Sequence, residues 1–150
     1  MKTLSAREQS IIARALRIME STIDGTDVIS SPSAAHAYLR LKIGAAEHEQ
    51  FACLWVDNQN RVIAHEILFR GTLTQAAVYP REVVKSALAH NAAGVIFAHN
   101  HPSGITEPSY ADVNLTRVLR DALALVDVRT LDHFIVTTSG ICSLAERGQI

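Results

Sequence analysis

Apolar side chains recur at helical spacing near the start of the chain, where Ile11, Ile12, Ala15, Leu16 and Met19 share one face. They follow Ser5-Ala6-Arg7-Glu8, which has the spacing of a capping box. Gly25 and Asp27 break this helix, and Val28-Ile29 is at most a short extended piece. Ser31-Pro32-Ser33 opens a second helix carrying Ala34, Tyr38, Leu39 and Ile43, ended by Gly44. The pattern then changes. Gln50 to Val56 and Arg61 to Phe69 are rich in aromatic and branched residues, and the polar run Asp57-Asn58-Gln59-Asn60 between them reads as a hairpin turn. Gly71 to Tyr79 is expected to be irregular or extended. Pro80 suits the first position of a helix through Val83, Val84, Ala87 and Leu88. Gly94 to Ala98 is a continuous apolar run, as in a strand covered on both faces. Ser109 to Leu125 is the longest periodic helix, with Val113, Leu115, Val118, Leu119, Ala122 and Leu125 as its apolar positions. Leu131 to Thr137 and Ile141 to Ala145 read as two more strands. Helices and strands are interspersed, so the expected class is α/β or α+β around a mixed sheet. No internal repeat, low-complexity tract or long linker divides the chain.

Composition narrows the function more than the fold. With 150 residues and 48% hydrophobic content, one globular domain with a real core is expected, and disorder is excluded. Basic and acidic side chains number 14 and 15, a balance that gives no general electrostatic grip on DNA or an acidic membrane. Arg7, Glu8, Arg14 and Arg17 interrupt every apolar run near the N-terminus, so no signal peptide is visible. The longest stretch free of Asp, Glu, Lys and Arg, Ser86 to Thr106, contains three histidines and cannot be a membrane span. Cys53 and Cys142 form no C-x-x-C pair and are expected to be two buried free thiols in a reducing, cytoplasmic setting. A cysteine knot or a four-cysteine zinc site is thereby excluded. Seven histidines make imidazole the conspicuous chemistry.

Two of the seven histidines lie in one informative segment, Ala98 to Asp112, between the buried strand and the long helix. His99 and His101 are two apart, so extended backbone points both rings the same way. Pro102, Gly104 and Pro108 make the next stretch a rigid loop, and Asp112 lies in the first helical turn, where its carboxylate could face the two imidazoles. Three such ligands leave a fourth position for water, the pattern of a catalytic zinc. Ser109-x-x-Asp112 is equally what an ordinary helix start looks like, with Ser109 as N-cap and Asp112 favoured by the helix dipole.

These residues resemble a known family. His99-x-His101-Pro102, six further residues, then Ser109-x-x-Asp112 matches the JAMM metalloprotease motif. The surroundings look like the bacterial RadC family: Pro80-Arg81-Glu82, Asn91-Ala92-Ala93, His99 to Gly104, Pro108-Ser109, Asp132-His133 and Ser143-x-Ala145-Glu146-x-Gly148. The resemblance covers about Glu47 to Ile150 and implies a JAB/MPN domain over 47–150. Residues 1–46 would be a brief helical leader in place of the longer one with helix-hairpin-helix elements. It further implies a three-layer α/β/α sandwich with a mixed central sheet, related to the cytidine deaminase fold. By the same resemblance His99, His101 and Asp112 hold one catalytic Zn2+, and Ser109 hydrogen-bonds the reacting centre. An upstream glutamate serves as general base, chosen among Glu47, Glu49, Glu66 and Glu82. In the family this acid stands two residues before a buried aromatic at the start of the first main strand; Glu49-Gln50-Phe51 fits, with Glu66 as the alternative. His65-Glu66 makes no zincin helix, because Phe69 stands where a second histidine is needed.

His133 is expected either to orient a ligand or to be a hydrogen-bonded histidine of a buried strand. His36, His48, His65 and His90 have no spacing partner and are expected at the surface or in caps. The implied activity is zinc-dependent hydrolysis of peptide or isopeptide bonds in a peptide or protein substrate. Two other readings stay open: an accessory protein of DNA repair without proteolytic activity, and an interaction module that uses zinc to fold. A deaminase is disfavoured, since no P-C-x-x-C follows an H-x-E.

Overall fold

The first two helices form where capping chemistry and apolar spacing coincide. In a computed structural model, which describes residues 4–21, 31–71 and 77–150, α1 spans Ala6–Ser21. Its capping box is closed: Ser5 donates to Glu8 Oε2 from both its N–H and its hydroxyl, each at 2.7 Å, and the Glu8 N–H returns to Ser5 Oγ at 3.3 Å. Helix α2 spans Pro32–Ile43, with Ser31 Oγ accepting from the Ala34 N–H at 3.2 Å. It stops at Gly44, where an added Cβ would lie 2.6 Å from the Arg40 carbonyl oxygen. The expected break at Gly25 to Ile29 lies outside the described residues, as does 72–76 of the Gly71 to Tyr79 connection.

Strands β1 (Glu49–Val56) and β2 (Val62–Gly71) form the expected hairpin. Asp57 Oδ1 accepts from the N–H groups of Gln59 and Arg61 at 2.8 and 3.0 Å, and Asn60 takes a positive φ of 60° to close the turn. Helix α3 (Pro80–Ala89) leads to β3 (Gly94–Asn100), α4 (Tyr110–Ala124), β4 (Arg129–Val136) and β5 (Ile141–Ser143). The sheet runs β2-β1-β3-β4-β5; only β3 and β4 are parallel, so it is mixed.

Strand alternation sorts the core into two clusters. Phe51, Cys53, Trp55, Val95 and Phe97 face α3 and α4, meeting Val83, Ala87, Leu115, Leu119 and Leu123. Ala52, Leu54, Ala98, Phe134 and Val136 face the other way, onto Tyr38, Leu39 and Ile43 of α2, with Leu16 and Met19 of α1 behind. Helices thus cover both faces of one five-stranded sheet, the three-layer arrangement of a JAB/MPN-type fold.

Four expectations change. Ile11, Leu88, Val118 and Leu125, read as apolar-face residues, are solvent-exposed. The buried face of α4 is instead Asp112, Leu115, Thr116, Leu119 and Leu123, so two polar residues stand where core residues would be. Strand β5 ends at Ser143, before Ala145, because Asp132 captures the chain at that point. Its carboxylate accepts the Ser143 hydroxyl at 2.5 Å and the Ala145 N–H at 3.0 Å, turning the backbone out of the ladder. Of the two thiols only Cys53 is buried, and burial pushes its pKa well up; Cys142 is partly exposed beside Arg147.

Candidate metal centre

The alternation that builds the core also aims the ligands. His99 continues the Val95 and Phe97 face of β3, toward α4, and is fully buried. His101 follows just beyond the strand end. Helix α4 starts above them with the capping box complete: Ser109 Oγ accepts from the Asp112 N–H at 3.1 Å, and Asp112 Oδ2 accepts from the Ser109 N–H at 2.7 Å. Both readings of Ser109-x-x-Asp112 therefore coexist. The cap fixes the Asp112 carboxylate against the histidines, and the Ser109 hydroxyl hydrogen is not used by the cap.

The three side chains converge. His99 Nε2 lies 2.9 Å from His101 Nε2 and 3.2 Å from Asp112 Oδ1, and His101 Nε2 lies 3.4 Å from Asp112 Oδ2. The surrounding hydrogen bonds assign the tautomers. Thr116 Oγ1 donates to the Asp112 carbonyl oxygen at 2.6 Å, so toward His133 it can only accept. His133 Nδ1 then carries the hydrogen, at 2.5 Å from Thr116 Oγ1, and its Nε2 accepts from the His99 Nδ1–H at 2.8 Å. His101 Nδ1–H donates to the Ile105 carbonyl at 2.8 Å. Both imidazoles are left with an Nε2 lone pair facing the other and facing a carboxylate. Three converging acceptors with no hydrogen among them fit a cation, and His99, His101 and Asp112 could hold a metal ion.

The Asp112 carboxylate raises the His101 pKa. Burial works against the charge of Asp112, but the two neighbouring imidazoles and the hydrogen bond from the Ser109 N–H outweigh it and hold the carboxyl far below the ordinary range. Burial, reinforced by the neighbouring His99, keeps His133 well below its usual value and therefore neutral, packed edge-on to Phe51 and Phe97. His133 is both things foreseen for it: a buried strand histidine, and the partner of His99.

His101 and Asp112 open on a cavity of about 570 Å³ whose wall also includes Ser109, Glu47, His48, Glu49 and Gly71, with His99 buried behind them. Glu49 thus lines the same space as the ligands. Glu66 does not. It accepts from Trp55 Nε1 at 3.2 Å, from the Ser86 hydroxyl, and pairs with His90 Nε2 at 3.0 Å, on the β2–α3 side. Glu82 is exposed on α3 beside Lys85.

The four histidines set aside as incidental fare unevenly. His48 is on the cavity wall, and His90 caps α3 while stacking on Trp55. His36 and His65 make edge contacts with Phe134 and Tyr38. Thr116 and Asn100 were missed. A threonine on the buried face of α4 was the available signal for the first; the second stands in plain view between the two histidines.

Comparison with known proteins accords with this architecture. The RadC-like JAB domain family matches residues 29–149, so the match includes α2. A UPF0758 protein from Nitrosospira multiformis is 55% identical over 97% of this chain and 65% of its own length. UPF0758 proteins from Thiobacillus denitrificans (55% identity, 95% of this chain, 63% of that protein) and Leptothrix cholodnii (56%, 93% and 63%) are similar to the same extent. The chain spans somewhat less than two-thirds of the length of these curated relatives. Among the described residues, no helix is long and apolar enough to cross a membrane.

Proposed function

We propose that this chain, which belongs to the RadC-like JAB domain family, is a zinc-dependent hydrolase of peptide or isopeptide bonds. The observation that carries the reading is the convergence of two Nε2 atoms and one carboxylate beside a cavity lined by His101, Asp112, Glu49 and Ser109. His99, His101 and Asp112 would hold the ion, an N/O donor set suited to zinc with one position open. Zinc bound there supplies Lewis acidity and a water whose pKa falls to about 7.

The chain's own residues do the rest. Glu49 receives a proton as water attacks the scissile carbonyl and returns one to the departing amine, so the carboxylate ends the cycle as it began. The Ser109 hydroxyl, free of the cap on its donor side, hydrogen-bonds the carbonyl oxygen as negative charge develops. His133 and Thr116 keep the His99 lone pair turned inward. Asp112, anchored by the capping box, keeps its charge at any working pH.

The test is a proteolysis screen over peptide and isopeptide libraries, run beside Glu49→Gln. Cleavage by the zinc-loaded chain, with a loss of about 10²-fold or more in Glu49→Gln at unchanged zinc content, is the expected result. Full activity in that variant reassigns the base, and no cleavage of any library member by a zinc-loaded chain removes the hydrolase reading.

A further inference from the structure

The residue between the two histidines faces away from the metal, yet it governs the same site. Asn100 is fully buried, and its amide is completely used. Oδ1 accepts from the Gln50 N–H at 2.7 Å, while Nδ2 donates to the carbonyl oxygens of Ala46 and His48 at 3.2 and 3.1 Å. These three backbone groups bracket Glu47 and Glu49, both on the cavity wall. The β1–β3 ladder ends with Phe51 opposite His99. One residue further out, the Asn100 side chain takes over from the missing ladder bonds and ties the incoming segment to β3. The end of β3 thus aims His99 and, just beyond it, His101 to one side, while Asn100 on the other side holds the backbone that carries Glu47 and Glu49.

We infer that Asn100 is a positioning residue, setting Glu49 against the metal ligands through the backbone of residues 46–50. The inference rests on the reading of Glu49 as the base, and it adds the device that fixes the base's distance from the ligands. No side chain other than Asn or Gln offers an acceptor and two donors in one plane, and Gln is a methylene too long for a site with no free space.

Amide exchange, zinc affinity and turnover, read together on Asn100→Ala and Asn100→Asp, test it. In Asn100→Ala, exchange of the Gln50 amide should rise about tenfold while that of Cys53, deeper in β1, stays unchanged. Zinc affinity, read by competition with a chromogenic chelator, should stay within about twofold, because no ligand is touched. Turnover of the peptide or isopeptide found in the screen should fall about 10²-fold in kcat with little change in KM. Adding Glu49→Gln should then cost nothing further, since both changes remove the same function. Asn100→Asp keeps the shape and the acceptor but turns a carboxylate oxygen onto two carbonyls. It should preserve Gln50 protection and still lower kcat. Unchanged Gln50 exchange in Asn100→Ala overturns the inference, as do multiplying losses in the double variant. Full turnover in Glu49→Gln alone overturns the Glu49 assignment and the catalytic half of the inference, while the exchange data still decide whether Asn100 holds the segment.

Discussion

Thr116 shows how a residue outside the His99-His101-Asp112 cluster can set the chemistry of one within it. Its hydroxyl hydrogen is committed to the Asp112 carbonyl, and that commitment propagates through His133 to decide which nitrogen of His99 is bare. Valine at 116 has nearly the same shape but no oxygen to accept the His133 Nδ1–H. The chain of donors then loses its direction, and His99 can present a hydrogen where a lone pair is needed. Thr116→Val is predicted to weaken zinc binding about 10- to 100-fold, with Thr116→Ser restoring most of it, as measured by chelator competition. Equal affinity in the valine variant would show that His99 keeps its tautomer without help.

At the scale of elements, the edge strand β2 depends on a polar fastener that has nothing to do with the metal. Glu66 gathers Trp55 of β1, Ser86 of α3 and His90 at the α3 C-terminus. Burial disfavours its charge, but those three donors more than compensate, and its pKa is lowered from 4.5. A lowered carboxyl pKa means that the stabilisation is fully present above the unfolded value and is lost as pH falls through the folded one. Glu66→Gln should therefore cost about 1 kcal/mol at neutral pH, discounted for partial exposure, and the gap from the parent should shrink at a second, acidic pH well below 4.5. Urea midpoints at the two pH values measure this; a gap that widens in acid contradicts the assignment.

The same elements show what the chain's order of residues makes legible. Capping boxes, Pro80 at a helix start and the alternation of β1 and β3 are local signals, and the helices and strands appear where those signals stand. The pairing of His99, His101 and Asp112 was readable for the same reason, all three lying within one strand–loop–helix unit. The Asn100 clamp was not, because its partners lie 50 or more residues away in sequence. Nor was the Glu66 fastener, which draws on two strands and a helix. Leu88, Val118 and Leu125 misled because hydrophobicity was counted where orientation decides, while polar Thr116 faces the core.

For the whole molecule, the question is what a bound metal would contribute to a fold with two apolar cores of its own. Two apolar clusters on opposite faces of the sheet bury Trp55, Phe51, Phe97, Tyr38, Leu39 and Ile43 with no ligand involved. A fold of that kind stands without a cation, unlike small domains whose zinc supplies the folding free energy. The most direct measurement is calorimetric titration of zinc into the metal-stripped chain at neutral pH, with circular dichroism recorded before and after. A folded apoprotein that takes up one zinc per chain is expected, with the site abolished in His101→Ala while the spectrum stays unchanged. A stripped chain that is unfolded, or zinc uptake that survives His101→Ala undiminished, would contradict a catalytic metal held by His99, His101 and Asp112.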